Sequence, residues 1–324
     1  MLRMHPDKSY LKTIESVKFD PIFILGLHRS GTSVLYKMLT ASGCFNPVTV
    51  YHLISYNHLL DDYKQNNQET NKTRLSKSFQ NHGLDNRGID ALKISADFAE
   101  EYGFFLDEQS AQSHLTKHNV SQFTQLCKKI ITVTDATKPI LLKNPYDFSR
   151  FIFIKKVFPN AKFVFIHRHP LKVLSSLINA VRVLFSNHNY YASQISRIYN
   201  KIYENPLSRS ALQYLTTHLS IFGLMLLTTH ASVSTRYYLK HIHKLPDSCY
   251  LSITYEDLCN HPQQTIENIF STLHIQPQTP IDYTSFIKPR KTTLDPTVFW
   301  LQKYILHSMK PYCTQFNYTL ENYQ

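Results

Sequence analysis

The segment Pro21–Ser33 constrains the fold of this chain more than any other part of it. It opens with the apolar run Pro21–Leu25, which is short and suited to a buried strand. It then turns through Gly26-Leu27-His28-Arg29-Ser30-Gly31 and enters a helical pattern at Thr32–Leu39 that stops before Gly43. Two glycines therefore bracket a turn between strand and helix, and the hydroxyls of Thr32 and Ser33 follow it. Successive backbone N–H groups at such a joint, with the positive end of the helix behind them, make a cradle for an anion. Nucleotide hydrolases with this loop spacing keep a lysine where this chain has Thr32, and they use it to reach the terminal phosphates. Here the cation is Arg29, inside the loop. That suits a compact anion neutralised without a metal, and it counts against a divergent P-loop kinase or nucleotide hydrolase.

The same alternation of strand and helix returns after residue 139. Ile140–Leu142 reads as a strand, Tyr146–Val157 as a helix and Lys162–Ile166 as a second buried strand, with Pro159-Asn160 as the turn. A strand–helix–strand unit of this kind implies parallel strands and a right-handed crossover. A helix follows over Leu171–Phe185, further helical segments fill 190–245, Tyr250–Thr254 reads as another strand and Pro262–Leu273 as an amphipathic helix. The expected fold is a three-layer α/β domain of P-loop type, with a mostly parallel sheet flanked by helices. One domain over 1–324 accommodates this, with 44–138 as a helical and loop excursion on the acceptor side and 276–324 as a C-terminal extension. The part from Asp61 to Arg87 is polar and reads as an exposed lid.

Charge narrows the partners. The chain carries 35 Lys+Arg against 23 Asp+Glu, a net +12, which favours an anionic ligand or surface. It has no aromatic-interleaved basic repeat and no zinc-finger spacing, so nucleic acid is not expected. The cysteines (Cys44, Cys127, Cys249, Cys259, Cys313) are scattered and odd in number, which reads as reduced thiols in a cytoplasmic protein with neither a metal cage nor a disulfide frame. Met1–Asp20 has no apolar core of a signal peptide. Between Arg209 and Arg236 no residue is charged, yet His218, His230 and several threonines keep the stretch short of a membrane span. A buried core helix is the expected reading there, with peripheral membrane contact as the alternative.

A second anion site suggests itself after the strand Lys162–Ile166, in His167-Arg168-His169-Pro170-Leu171-Lys172-Val173-Leu174-Ser175-Ser176. Arg168 falls at a strand C-terminal end, where open α/β sheets bind ligands, and Pro170 starts the next helix. Taken together, these segments resemble the sulfotransferase superfamily, closest to its prokaryotic and tyrosylprotein branch. "HRSGTS" resembles the family's 5′-phosphosulfate loop and "FIHRHPLKVLSS" its 3′-phosphate motif. Tyr255-Glu256-Asp257-Leu258 with Pro262 resembles its segment near the adenine, and "LLKNP" at 141–145 resembles the segment with the active-site lysine. The blocks occur in the family's order over roughly residues 19–275.

The resemblance implies a donor, 3′-phosphoadenosine 5′-phosphosulfate (PAPS), with its product adenosine 3′,5′-bisphosphate (PAP), and no metal. It implies Arg29, Ser30, Gly31, Thr32 and Ser33 around the 5′-phosphosulfate, Arg168 and Ser176 on the 3′-phosphate, and Tyr255 near the adenine. It also implies Lys288, Arg290 and Lys291 in a late basic loop over the nucleotide, although the usual glycines of that loop are missing. Sulfonate transfer is an in-line displacement that needs cations on the moving group and a base for the acceptor, a hydroxyl or an amine. Arg29 and Lys143 fit the cations. Pro145 stands where many members keep a histidine base, so His52 is taken as the base, with His58, Asp61, Asp62, Glu100 and Glu101 as alternatives. A missing base would make the chain a non-catalytic adenosine bisphosphate-binding protein. The acceptor-side segments, rich in Tyr, His and Asn, suit a polar hydroxylated acceptor with some aromatic or apolar character, whether small molecule, glycan or peptide.

Overall fold

The computed structural model describes residues 5–84, 86–88, 93–217, 220–277, 280–287 and 293–321. Its strands are β1 (Pro21–Leu25), β2 (Asn46–Pro47), β3 (Ile140–Lys143), β4 (Lys162–His167) and β5 (Tyr250–Thr254). They form one parallel sheet in the order β2-β3-β1-β4-β5. The strands expected on either side of the 146–157 helix, β3 and β4, are parallel but not neighbours, because β1 lies between them.

Both faces of the sheet are buried, so the strands read as continuous apolar runs. Side chains alternate with a period of two. Phe23, Leu25, Phe163 and Phe165 enter the larger core, whereas Ile22, Ile24, Val164 and Ile166 enter the opposite one.

The helices before β3 are α1 (Thr32–Ala41), α2 (Val50–Ile54), α3 (Leu59–Lys64), α4 (Gln68–Asn81), α5 (Tyr102–Ser110) and α6 (Val120–Val133). Between β3 and β5 come α7 (Phe151–Val157), α8 (Pro170–Ser186), α9 (Tyr190–Ile195), α10 (Arg197–Glu204), α11 (Pro206–Leu215) and α12 (Ile221–His241). After β5 come α13 (Tyr255–Asn260), α14 (Pro262–Leu273), α15 (Pro296–Trp300), α16 (Gln302–Ser308) and α17 (Lys310–Gln315). Leu35 and Leu39 of α1 and Ile266 and Ile269 of α14 cover one sheet face. Phe123 of α6, Phe151 of α7 and Tyr238 of α12 cover the other.

Three expectations are corrected. The helix after β3 starts at Phe151 rather than Tyr146. The intervening Asp147 is buried and accepts hydrogen bonds from Tyr102 Oη, Leu115 N and Asn144 Nδ2, so its side chain anchors a turn. The lid expected over 61–87 is exposed along α4, but its two ends are not. Asp62 receives the Tyr51 hydroxyl, and Arg87 is ion-paired with the fully buried Glu100. The uncharged stretch is only half a core helix. Leu224, Thr228, Ala231, Thr235 and Tyr238 of α12 face inward at helical spacing, while Phe222, Leu226 and Val233 are exposed. The inward threonines return their hydroxyls to the i−4 carbonyls of Leu224 and Ala231, which hides the polar groups from the core. No helix among the described residues is long and apolar enough to cross a membrane.

Candidate active site

The register of the sheet aligns the C-terminal ends of β1, β3 and β4. Ile24 pairs with Lys143 across one side of β1, and Leu25 with Phe165 across the other. The loop after β1, the end of β3 and the turn after β4 therefore meet at one edge, the usual place for a ligand in an open α/β sheet. They open into a cavity of about 930 Å³.

The loop is shaped by backbone geometry. Gly31 is the N-cap of α1 at φ 103°, with no side-chain cap bond, and Arg29 is in the left-handed region at φ 69°. The left-handed region costs a residue with a Cβ on the order of 1 kcal/mol. Two contacts hold Arg29 there: its carbonyl accepts from Arg168 Nη1, in the turn after β4, at 3.0 Å, and its own Nε donates to Ser176 Oγ of α8 at 3.0 Å. The first amides of an α-helix have no intrahelical acceptor, and a glycine cap leaves them to a ligand.

Gly31, Thr32 and Ser33 line the cavity, as do Arg29, Arg168 and Ser176. Ser30 does not: it is buried beneath the loop, its N–H bonded to Leu27 O, with its hydroxyl lacking a partner. Tyr255 lies against Gly31 on one side, and the Arg168 guanidinium sits 4.1 Å over its ring on the other. The two anion sites read from separate segments are thus one continuous arrangement.

Lys143 is nearly inaccessible, and its Nζ is 3.0 Å from Ser33 Oγ and 2.9 Å from Glu101 Oε1. Tyr36 of α1 fixes this end of the site by donating to backbone carbonyls of Val48 and Leu141 while accepting from Val48 N. Glu100 and Glu101 are adjacent in extended backbone and point in opposite directions. Glu100 turns into the protein, toward Arg87 and the Tyr191 hydroxyl, whereas Glu101 turns into the cavity. Burial works to raise the Glu101 pKa, but the nearby Lys143 and His28 charges outweigh it and hold the carboxyl below its ordinary value. His28, on the same wall and edge-on to Tyr146, is pushed down to about 4, mainly by burial.

His52 lies elsewhere. It is 4% exposed and does not line the cavity. Its Nδ1 accepts the Thr49 N–H in a capping box at the start of α2, and burial lowers its pKa to about 4. His58, Asp61 and Asp62 do not line the cavity either, and Asp62 is taken up by Tyr51 and Asn71. Lys288, Arg290 and Lys291 lie outside the described residues. Sequence reasoning did not put forward His28, Lys37 or Lys172, which also line the cavity, Lys172 beside Arg168. Burial and Arg168 lower the Lys172 pKa, against the pull of Glu256.

A parallel α/β sheet whose strand ends carry an uncapped helix terminus and converging arginine and lysine side chains has the electrostatics suited to a multiply charged anion. The chain belongs to the sulfotransferase family, whose family model matches residues 21–279. It is a sulfotransferase, an enzyme of sulfonate transfer. Solved structures agree on the fold. Sulfotransferase STF9 from Mycobacterium avium is 14% identical with a TM-score of 0.61, over 97% of this chain and 81% of that one. Sulfotransferase STF1 from Mycobacterium tuberculosis H37Rv is 16% identical with a TM-score of 0.59, over 94% and 80%. No curated protein matches significantly.

Proposed function

We propose that this enzyme takes its sulfonate from PAPS and passes it to a hydroxyl, with Glu101 as the base. The observation that carries the reading is Lys143, whose ammonium touches both the phosphate-loop helix at Ser33 and the cavity carboxylate of Glu101. A cation and a base thus flank a single point at the end of β3.

The residues fit the donor. The α1 amides, Arg29 and Ser33 receive a 5′-phosphosulfate, Arg168 and Ser176 receive a 3′-phosphate, and Tyr255 offers an aromatic face at the adenine end. PAPS supplies an activated sulfonate on a phosphate leaving group. Lys143 and Arg29 stabilise the charge that grows on the bridging and sulfonate oxygens. Glu101 orients the acceptor hydroxyl and takes its proton. Sharing Lys143 with the donor anion weakens its hold on Glu101, which makes that carboxylate a stronger base once the donor is bound. His52, buried in a helix cap, has no part in the transfer.

A thermal-shift comparison tests the donor: PAP stabilises the protein and ATP with Mg²⁺ does so little. Arg29→Ala and Arg168→Ala each abolish the shift with the fold retained. Glu101→Gln keeps the PAP shift but loses PAP release from PAPS in the presence of a mixed alcohol panel by at least 100-fold. Equal stabilisation by Mg-ATP overturns the donor, and full turnover by Glu101→Gln overturns the base.

A further inference from the structure

The cavity has two ends of opposite character. Most of its basic residues gather around the loop after β1 and the turn after β4; Arg87, which also lines it, is ion-paired with Glu100 beside Tyr191. The far wall is built by the C-terminal half of α8 with α9, α10 and α11. From Leu177 to Leu212 this wall contributes no charged side chain to the cavity among the described residues. The sequence there contains Arg182, Arg197, Lys201, Glu204 and Arg209, so the absence is a matter of orientation.

Helix α10 shows how. Ile198, Tyr199 and Ile202 face the cavity, one turn apart, while Arg197, Lys201 and Glu204 are not on it. In α8, Val181 and Leu184 line the cavity while Arg182 is held away by Asp295 at 2.5 Å. Most polar groups on this wall have partners within the protein, the Asn179 carbonyl oxygen among them. Asn179 Oδ1 accepts from Arg182, Ser196 Oγ donates to Asp107, and the Tyr191 hydroxyl donates to Glu100. Val183 and Ile198, both lining residues, are exposed, so the opening of this end is apolar as well.

We infer that the acceptor is an apolar alcohol, with its hydroxyl at Glu101 and Lys143 and its hydrocarbon body in the chamber of α8, α9, α10 and α11. This rests on the sulfonate-transfer reading above and departs from the polar acceptor that residue content suggests. The deciding magnitude is the desolvation of polar groups. A sugar pushed into this chamber gives up the water on several hydroxyls and meets few polar groups beyond the Asn179 amide and the Tyr199 hydroxyl, at about 1–3 kcal/mol for each group left unsatisfied. A hydrocarbon gains roughly 0.8 kcal/mol for each methylene buried. An acidic peptide would meet at this wall only Arg87, whose guanidinium is already ion-paired with Glu100.

The test uses the full chain with PAPS and primary alkanols from hexanol to dodecanol, reading PAP release. kcat/KM rises by about fourfold per added methylene until the chamber is full, while glucose and a tyrosine-containing acidic peptide stay at background. Ile202→Asp and Ala180→Phe flatten the chain-length dependence and leave the PAP thermal shift unchanged, which shows both variants folded with the donor site intact. Preferred transfer to glucose or the peptide overturns the inference. So does a protein that is stabilised by PAP yet transfers to no alkanol. Absence of any PAP shift in the unaltered protein is a different failure, because it removes the donor reading on which the inference rests.

Discussion

At the scale of single residues, the site depends on one contact that only glycine permits. A Cβ at Gly31 would lie 2.3 Å from Tyr255 Cδ2, and the residue sits at φ 103°. Gly43 has φ 69° but open space around it. Gly31→Ala therefore carries both the backbone cost and the displacement of Tyr255, and with Tyr255 goes the surface that supports the Arg168 guanidinium. The expected outcome is a loss of about 2 kcal/mol of stability with at least a tenfold weaker PAP affinity, measured by denaturant titration and by calorimetry. Gly43→Ala should cost about 1 kcal/mol and leave PAP affinity unchanged; equal effects of the two on PAP would sink the Tyr255 account. The glycines, Arg29 and Arg168 were legible in the sequence because each belongs to a short contiguous motif at a strand end. Glu101 was not, since nothing local separates it from Glu100. Only the direction of an extended backbone puts one carboxylate against Arg87 and the other in the cavity. His52 looked attractive because it is close to the loop in sequence, yet Thr49 and burial make it a capping residue.

At the scale of elements, the strands were readable almost to the residue: Pro21–Leu25 is an unbroken, fully buried apolar run, and the partly buried edge strand Tyr250–Thr254 is apolar or β-branched except at Ser252. The two-residue β2 carries no such signal; it exists because Asn46 N–H donates to Pro139 O and Asn46 Nδ2 to Asp135 and Lys138 carbonyls. Helix α12 was misjudged because a lack of charge was read as burial, whereas its buried stripe is set by spacing. That stripe makes a prediction. Leu224 is fully buried in the larger core, and Leu224→Ala should cost 2–5 kcal/mol. Phe222, 63% exposed on the same helix, should tolerate Phe222→Ser within about 0.5 kcal/mol. Urea midpoints at constant slope decide this, and a large loss at Phe222 would mean that its face is covered in solution.

At the scale of the whole molecule, buried histidines set the acid limit. His52 is lowered to about 4 and His167 to about 3, each chiefly by burial. Their folded pKa values lie below the unfolded value near 6.5. The stability they support is therefore present above pH 6.5 and is lost as pH falls toward 4, because only the unfolded chain takes up their protons. Asp147 acts in the opposite sense. Burial raises its carboxyl to about 6, so its contribution is greatest at low pH and disappears as pH rises through 6. Each group changes stability by about 1.4 kcal/mol per pH unit within its window. The buried histidines outweigh Asp147, so stability falls on net from pH 6 down to 4.5. Urea titrations across that range should show the fall. His167→Phe, which preserves the ring stacked on Phe316 at 4.0 Å, should make it clearly shallower. A slope unmoved by that change would mean that acid unfolding is driven by carboxylate ion pairs such as Arg182–Asp295 instead.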